Sequence, residues 1–492
     1  MKFRLRFENI ALALVIIIGI AISIFQFLYN RSIWLDEANL ALNIINRNFF
    51  ELFEPLDYFQ VAPIIFLQIE KLFTILIGNS EFGLRLFPLL CYWCSIYFMY
   101  KLLKILDLNV YIVILSLSIF MFNGTIIYYS SEVKQYMADV LVLTSLFYFT
   151  LKDYKNIKNQ YYILASVGMI SIFLSNVSPI ILLCCGSYLF FNHFKEGWNI
   201  LKNYIAIGIL WFLSFSIYFL LFIYDHPTKD FMLGYWSREG AFMPINHFDS
   251  EFFKFAIRKY YMFFHDLFDF GWIGFYFLQL LFLFGWYNLF EKGKIRILIF
   301  GISPIIIHLI LSSFKLYPFD LRLILYLCPS FMILLSFGLD YMFQSLKVVD
   351  KRFVNSLIII PLVFFFIAIT KLPIERSEIK KCIAFLQQNV MDKEKIYFSN
   401  FSSVPALYYK ETSNLKLPDN NVLYGKFGNY KNLSEEVKDL NGRVWFVFSD
   451  YAIWDELLME DVKKQFNDGK HILIQEYQPV GATVLLYEII SE

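Results

Sequence analysis

The sequence predicts a polytopic α-helical membrane protein with about eleven transmembrane helices and a small α/β domain at its C-terminal end. Of the 492 residues, 58% are hydrophobic and only 17% are charged, and the mean hydropathy is +0.54. A soluble chain of this length needs more charge to cover its surface. The apolar residues also stand in long unbroken blocks, which is typical of membrane-spanning helices.

The first apolar block, residues 10–29, follows three basic residues and is long enough to cross a bilayer. No small-residue cleavage site comes after it, so we expect an uncleaved helix. Ten further blocks are predicted to cross: 82–103, 109–129, 137–151, 160–175, 179–192, 203–223, 271–290, 295–313, 321–343 and 353–370.

Basic residues predict the orientation of these helices. With the N-terminus in the cytoplasm, every inward turn receives a basic cluster, as the positive-inside rule requires. The clusters are Lys101 with Lys104, Lys152 with Lys155 and Lys158, Lys195 with Lys202, Lys292 with Lys294 and Arg296, and Lys347 with Lys351 and Arg352. The pattern holds only if residues 61–78 do not cross. Because Gln68, Glu70 and Lys71 make that block amphipathic, we expect an interfacial helix there.

Three substantial pieces are therefore predicted outside the cytoplasm: residues 30–81, residues 224–270 and residues 371–492. The transmembrane domain occupies residues 1–370, and residues 371–492 form a separate soluble domain. In that domain β-rich runs at 395–399, 443–449, 471–477 and 483–489 alternate with amphipathic stretches at 375–390, 431–440 and 453–467. This alternation predicts an α/β fold, with a hairpin turn between the last two runs at Pro479 and Gly481.

Two predicted outer turns concentrate the ionisable residues. Asp36 and Glu37 come directly after the first helix, either as a functional pair or as a solvated helix start, where acids are favoured. Glu132, Lys134 and Asp139 lie where one apolar helix ends and the next begins. Ionisable groups at that depth usually face a protein interior or an aqueous cavity, although a snorkelling Lys134 paired with Glu132 is the structural alternative.

Composition and histidine placement limit the other classes of partner. The formal net charge is +1, so no basic surface indicates nucleic-acid binding. His265 and Asp266 form an outer pair of histidine and acid close to a predicted membrane edge. One such pair is weak evidence for a metal, and a histidine satisfied beside an aromatic helix explains it better. We therefore predict no metal ligands.

Five segments, in this order and spacing, resemble the GT-C glycosyltransferases. The branch in question contains the protein O-mannosyltransferases, the lipid A aminoarabinose transferases and the bacterial family 39 and RgtA-like enzymes. The segments are Asp36-Glu37-Ala38, Gln60-Val61-Ala62-Pro63, the run 82–88 with Arg85, the turn with Tyr129, Ser130, Glu132 and Tyr136, and the run 322–329. Two departures stand out, because Gln60 begins the segment where the family often has His-Pro-Pro, and Leu323 replaces a usual Tyr.

The resemblance implies a GT-C-like fold and transfer of a sugar from a polyprenyl-phosphate donor to a hydroxyl acceptor, with inversion at the anomeric carbon. It implies an active site on the outer face of a bacterial cytoplasmic membrane, with Asp36 as general base, Glu37 as its neighbour and Glu132 as a second acid. The cations implied for the donor phosphate are Arg322, Lys134 and Arg85, and the implied substrate contacts are Gln60, Tyr136 and Asp139. Some relatives use a divalent metal, so the need for one stays open.

Two other classes of protein fit many apolar helices. A transporter or flippase for a lipid-linked saccharide would place ionisable residues near the bilayer midplane, often in two repeated halves. Here the charges cluster near predicted helix ends and the sequence contains no internal repeat. An O-antigen polymerase or ligase also acts on lipid-linked sugar, but such enzymes usually lack an acidic pair directly after the first helix.

Overall fold

The computed structural model describes residues 2–244, 249–349, 359–412, 421–425, 433, 437, 440–449, 457–466 and 469–490. Residues 2–313 form fourteen α-helices within these ranges. In chain order they are α1 (Lys2–Tyr29), α2 (Leu35–Asn46), α3 (Ile64–Ile77), α4 (Glu81–Ile105), α5 (Val110–Met121), α6 (Gly124–Tyr129), α7 (Tyr136–Leu151), α8 (Ile157–Leu174), α9 (Ser178–His193), α10 (Trp198–Phe222), α11 (Lys229–Arg238), α12 (Ser250–Tyr261), α13 (Gly271–Glu291) and α14 (Ile295–Ser313). They are followed by α15 (Leu327–Val349) and α16 (Ile359–Thr370).

The apolar helices confirm the prediction of a multi-pass membrane protein. Among the described residues, six helices are long and apolar enough to cross a membrane: Glu8–Tyr29, Glu81–Ile105, Trp198–Phe222, Gly271–Glu291, Ile295–Ser313 and Leu327–Leu346. The helices α5, α7, α9 and α16 are shorter apolar helices, and α8 occupies the remaining predicted span. Each of the eleven predicted blocks therefore contains a helix.

Two predicted spans differ from the observed helices for local reasons. The block 109–129 is broken after α5, because the side chain of Asn123 accepts a hydrogen bond from the backbone N–H of Ile126 and starts the separate helix α6. The block 321–343 begins with a 3₁₀ turn, Leu321–Leu323, and its α-helix starts only at Leu327. Pro329 then lies in the first turn of α15, where a missing N–H costs no hydrogen bond.

Helix α3 lies in the block 61–78, for which the sequence predicts a helix that does not cross the membrane. Its 14 residues extend about 21 Å, but α5 and α16, which are predicted to cross, have only 12 residues each, so helix length does not decide whether α3 crosses. One side chain also ties it to α2, because Lys71 Nζ donates to the carbonyl oxygens of Ile44 and Ile45 at 2.9 and 3.0 Å. The side of the membrane on which α3 lies stays a prediction.

The C-terminal part is an α/β unit built on a five-stranded sheet. Its described helices are α17 (Ile379–Asn389), α18 (Asn400–Thr412) and α19 (Leu457–Gln465), and its strands are β1 (Lys395–Phe398), β2 (Val422–Tyr424), β3 (Gly442–Ser449), β4 (His471–Tyr477) and β5 (Ala482–Ile489). The strand order is β2-β1-β3-β5-β4. Strand β1 pairs in parallel with both β2 and β3, whereas β5 is antiparallel to both β3 and β4.

Four predicted strands are present, and the turn at Pro479 and Gly481 joins β4 to β5 as a hairpin. The structure adds β2 and α18, which the sequence did not predict, because β2 is only three residues long and α18 contains Pro405. Most of the predicted amphipathic stretch 431–440 lies outside the described residues.

The two faces of this sheet pack against different partners. Trp445, Val447 and Leu486 share one continuous hydrophobic core with the transmembrane helices through α17 and α18. Phe446 and Tyr487 point to the opposite face and form a smaller core with α19. The C-terminal unit is therefore packed onto the helical part, while its ability to fold alone stays a prediction.

Candidate functional site

The acidic pair lies in the first turn of α2, directly after the loop that follows α1. Trp34 precedes the helix in an extended conformation, and Asp36 and Glu37 are the second and third residues of α2. Successive side chains on a helix point about 100° apart. The two carboxylates therefore reach different surroundings, and 20% of the Asp36 side chain is exposed against 0% of Glu37.

Glu37 is enclosed in a network of ion pairs and hydrogen bonds. Its carboxylate lies 2.7 Å from Arg31 Nη1 and 2.9 Å from Arg85 Nη2, and the backbone N–H of Val133 donates to it at 2.9 Å. Burial opposes ionisation of Glu37, but Arg31 and Arg85 outweigh it and hold the pKa of this carboxyl below its ordinary value. Glu37 thus joins α2 to α4 and to the turn 130–135, which we call the acidic turn.

Asp36 faces two basic side chains in a more open position. Lys134 Nζ lies 3.0 Å from Asp36 Oδ1, and Arg322 forms an ion pair with Oδ2. Gln60 bridges this cluster, since its side-chain amide lies 3.4 Å from Asp36 and its carbonyl oxygen accepts from Lys134 Nζ at 2.6 Å. Burial raises the pKa of Asp36, but the two cations dominate and hold it well below the ordinary value.

The three predicted cations differ in how far their hydrogen-bonding capacity is already used within the protein. The Arg85 guanidinium is buried and already bonds Glu37 and the carbonyl oxygens of Arg31 and Ser32. Lys134 is also buried, and burial lowers its pKa against the attraction of Asp36. Arg322 keeps 19% of its side chain exposed. The structure brings Lys134 and Arg322 to Asp36 and brings Arg85 to Glu37.

Glu132 is buried in the acidic turn, and neither of its carboxylate oxygens has a hydrogen-bond partner within the described part of the chain. Its nearest cation is Arg31, at 3.7 Å, which already bonds Glu37 at 2.7 Å. Burial, followed by the charge of Glu37, raises the pKa of Glu132. A buried carboxyl without a hydrogen-bond partner is costly, and Glu132 is compensated only by the longer ion pair with Arg31 among the described contacts.

Two predicted substrate contacts lie on α7. Tyr136 is buried at the start of the helix, and its ring packs against Tyr129 at a centroid distance of 5.3 Å. Asp139 lies one turn further along α7 and accepts a hydrogen bond from Ser175 Oγ at 2.6 Å. Among the described contacts, the polar partner of Asp139 is thus on the connection to α9 and not in the Asp36 cluster.

The loop 224–270 covers the Asp36 cluster through α11. The ring of Phe231 stacks on Phe59 at 4.0 Å, next to Gln60, and the Arg322 guanidinium lies 5.1 Å from the ring centroid of Trp236. The contact between Trp236 and Arg322 could not be predicted from the sequence, because a predicted loop does not show which of its aromatic residues reaches a site. Arg31 was also missed, although its place five residues before Asp36 was a usable signal.

The C-terminal part contacts the residues that lead into the acidic pair. The N–H and hydroxyl of Ser32 donate to Glu378 at 3.3 and 3.0 Å. The backbone N–H of Ile33 donates to the hydroxyl of Tyr409 at 2.8 Å. Because Ser32 and Ile33 lie three and two residues before Leu35, the first residue of α2, the C-terminal part helps to fix the start of the helix that carries Asp36.

The histidine and acid pair of the loop 224–270 is a local contact. His265 Nδ1 lies 2.7 Å from Asp266 Oδ1, and the imidazole stacks on Tyr261 at 4.5 Å. Within the described ranges, no group of three or more His, Cys, Asp or Glu side chains could hold a metal ion.

The structure is that of a multi-pass membrane protein in which an acidic helix start faces basic side chains from two other loops. Neither a family model nor a curated protein matches the chain. The solved structure of ArnT from Cupriavidus metallidurans bound to undecaprenyl phosphate is similar over 98% of both chains, with a TM-score of 0.53 and 11% sequence identity. The structure of the same ArnT in the apo state gives a TM-score of 0.53 and 10% identity over 98% of both chains. At these identities the similarity shows the fold, and it confirms the GT-C-like architecture predicted from the sequence.

Proposed function

We propose that this protein is a membrane glycosyltransferase that moves a sugar from a polyprenyl-phosphate donor to a hydroxyl acceptor at the non-cytoplasmic face. One observation carries the proposal. A single, partly exposed carboxylate, Asp36, faces two basic side chains, Lys134 and Arg322, beside the ends of apolar helices. Such a cluster supplies a general base together with cations for a leaving phosphate.

The charge and place of the site support a donor that carries a phosphate. Lys134 and Arg322 carry two positive charges, whereas Asp36 carries one negative charge. The cluster therefore has a surplus positive charge and can accept an anion. Phosphate oxygens suit the planar fork of an arginine. The undecaprenyl phosphate bound to ArnT, which has the same fold, supports a polyprenyl chain as the carrier of that phosphate.

The reaction is a single displacement. The acceptor oxygen forms a bond to the anomeric carbon while the bond between that carbon and the phosphate oxygen breaks. The proton of the acceptor hydroxyl passes to Asp36, and the polyprenyl phosphate leaves with the bonding electron pair. Attack opposite to the leaving group inverts the anomeric configuration.

The ion pairs of Asp36 add a requirement to this mechanism. A carboxylate held by Lys134 and Arg322 is a weak base, because both cations favour its ionised form. When the donor phosphate binds the same two cations, it competes with Asp36 for them and raises the basicity of this carboxylate. The donor thereby activates the base, and acceptor attack follows donor binding.

The remaining residues take supporting roles in this proposal. Glu37 and Arg85 hold the helix start in place and do not contact substrate, because both are buried and paired with each other. Gln60 positions the ammonium group of Lys134. It stands at the start of the segment where the resembled family often has His-Pro-Pro. Glu132 and Tyr136 contact the sugar or the acceptor, whereas Asp139, which is buried and bonded to Ser175, supports the connection between α8 and α9.

The test is sugar transfer by purified protein in polyprenyl-phosphate-containing vesicles, with donor candidates taken from lipid extracts of the producing cell. Mass spectrometry of the products identifies both the sugar and the acceptor. Transfer that disappears in Asp36→Asn is the expected result. Movement of a lipid-linked saccharide across the vesicle without covalent transfer would instead indicate a flippase.

The proposed side of the membrane needs a separate measurement. A periplasm-active alkaline phosphatase fused after residue 371 is expected to be active. If only a reporter that works in the cytoplasm is active when fused after residue 371, the predicted orientation of the helices and the interfacial position of α3 are both wrong.

A further inference from the structure

The segment between α14 and α15 carries Arg322, and most of it is irregular. We call residues 314–326 the Arg322 segment. Its helical part is limited to the 3₁₀ turn Leu321–Leu323. From this turn Arg322 pairs with Asp36, and its guanidinium lies 5.1 Å from the ring centroid of Trp236. Since no long helix fixes the backbone here, the position of the guanidinium depends on the contacts that hold the segment.

His308, on α14, contacts the Arg322 segment on both sides of the arginine. Its Nε2 lies 3.0 Å from the carbonyl oxygen of Pro318, which precedes Arg322 in the segment. Its Nδ1 lies 3.0 Å from the hydroxyl of Tyr326, which follows Arg322. The imidazole is fully buried and packs against the ring of Phe319 at a centroid distance of 5.0 Å. One rigid side chain of the helical part thus holds both flanks of the turn.

The partners of His308 define which ring nitrogen carries the hydrogen. A carbonyl oxygen can only accept, so Nε2 carries the hydrogen and donates it to Pro318. Within the described ranges no carboxylate pairs with His308, and a buried charge without a counter-charge is costly. The imidazole is therefore neutral, and its Nδ1 accepts from the hydroxyl of Tyr326. An apolar ring of similar size can make neither of these two bonds.

Two further contacts hold the Arg322 segment from the loop 224–270. The backbone N–H of Phe319 donates to the carbonyl oxygen of Ala241 at 2.7 Å. Lys259 Nζ lies 3.0 Å from Asp320 Oδ2. Both of these contacts are made by residues that precede Arg322. His308, in contrast, bonds the segment before and after the arginine.

We propose that His308 is a positioning residue of the transfer site, whose imidazole holds both flanks of the turn so that Arg322 meets the donor phosphate. The inference rests on the proposed function, in which Arg322 is one of two cations for that phosphate. His308 itself does not contact substrate, because both of its ring nitrogens are bonded within the protein. Its loss therefore acts on the donor through Arg322 and leaves the KM of the acceptor nearly unchanged.

The placement of Arg322 can be measured without any substrate, because its guanidinium lies beside Trp236. The full-length protein is labelled with fluorotryptophan, and the fluorine resonance that disappears in Trp236→Phe is assigned to Trp236. Arg322→Gln then gives the shift that marks loss of the guanidinium from this ring. His308→Phe keeps an aromatic ring but makes neither bond, so the Trp236 resonance is expected to move in the same direction. Tyr326→Phe, which removes one of the two bonds, should move it less.

His193→Phe is the matched control. It makes the same exchange at the last residue of α9, where the imidazole bonds Glu196 and stacks on Tyr204. None of these residues contacts the Arg322 segment among the described contacts, so the Trp236 resonance should stay in place. An unchanged Trp236 resonance in both His308→Phe and Tyr326→Phe would overturn the proposal.

The transfer assay tests the same role at matched amounts of folded protein. In His308→Phe the KM for the donor should rise about fivefold or more, the effect of losing one or two hydrogen bonds. A double-mutant cycle separates positioning from a general loss of structure. In the Arg322→Gln background, His308→Phe should raise the donor KM little further, because the group that it positions is already gone. Equal effects of His308→Phe in the two backgrounds would overturn the proposal. If the wild-type protein transfers no sugar, the proposed function fails, while the fluorine resonance still decides whether His308 holds Arg322.

Discussion

Two adjacent residues of one helix turn, Asp36 and Glu37, have opposite surroundings. Glu37 is fully buried, and its carboxylate is bonded by Arg31, Arg85 and a backbone N–H. Both of its oxygens are therefore already engaged in hydrogen bonds. Asp36 is partly exposed, and the two side chains that hold it carry more charge than it can neutralise. Removing one member of a closed, buried network destabilises the fold, whereas an open cluster with surplus charge can exchange one of its partners for a ligand.

The largest expected effect is the loss of transfer in Asp36→Asn. The amide keeps the shape but cannot take the proton, and losing a general base typically costs ~100- to 10,000-fold in rate. Transfer is measured at matched amounts of protein in the membrane. Asp57→Asn is the control, because Asp57 lies in the same loop with 70% of its side chain exposed. Near wild-type transfer by Asp36→Asn would move the role of base to Glu132.

Glu37→Gln should act on stability more than on chemistry. The substitution leaves Arg31 and Arg85 without their shared carboxylate, and breaking a buried pair costs about 3–5 kcal/mol. We expect a lower melting temperature in detergent and less protein in the membrane, with the surviving protein keeping most of its turnover. Glu54→Gln, an exposed acid of the same loop, should change neither. A stable but inactive Glu37→Gln protein would contradict the separation of the two carboxylates.

Arg322→Lys should weaken the handling of the donor phosphate. A point charge replaces a planar fork, and the loss of a hydrogen bond to a charged group costs about 1.5–3 kcal/mol. The expected result is a KM for the donor raised about tenfold or more, with a smaller effect on the KM of the acceptor. Arg238→Lys makes the same exchange at an exposed position of α11 and should leave both constants unchanged.

Donor binding should also cause proton uptake by Asp36 at acidic pH. In the free protein Lys134 and Arg322 depress the pKa of this carboxyl. Phosphate that shares these cations raises the pKa, so up to about one proton is taken up between the two values. Calorimetry of polyprenyl-phosphate binding in two buffers of different ionisation enthalpy measures it. The phosphate titrates too, so the decisive quantity is the difference in the number of protons taken up between wild type and Asp36→Asn. Equal proton uptake by the two proteins would contradict activation of the base by the donor.

The smallest expected effect concerns the C-terminal part alone. The fragment 371–492 should give the circular dichroism of an α/β domain and melt cooperatively, but at a lower temperature than the full chain. The reason is that one sheet face shares its core with the transmembrane helices. An unfolded fragment would show that the predicted domain boundary is wrong.

The sequence by itself determined the helices, the strands and the place of the acids. Long apolar blocks and alternating runs are local patterns, and they were sufficient to predict eleven helical blocks, four strands and a hairpin. The break before α6 and the late start of α15 were missed, because a capping Asn and a first-turn Pro act within a few residues that hydropathy averages over. The acids Asp36, Glu37 and Glu132 could be found because charge near the end of an apolar block is conspicuous.

Only the tertiary structure decided which cation meets which acid. Lys134 and Arg322 reach Asp36 from 98 and 286 residues away, while Arg85, predicted for the same phosphate, is committed to Glu37. Trp236 reaches Arg322 from the loop 224–270, and Arg376 reaches Trp34 from the segment between α16 and α17, where the sequence carries no local signal. The physical reason is that pairing between charges depends on distance and burial in space, and both are set by how the helices and the C-terminal sheet pack around a helix turn that points its two carboxylates apart.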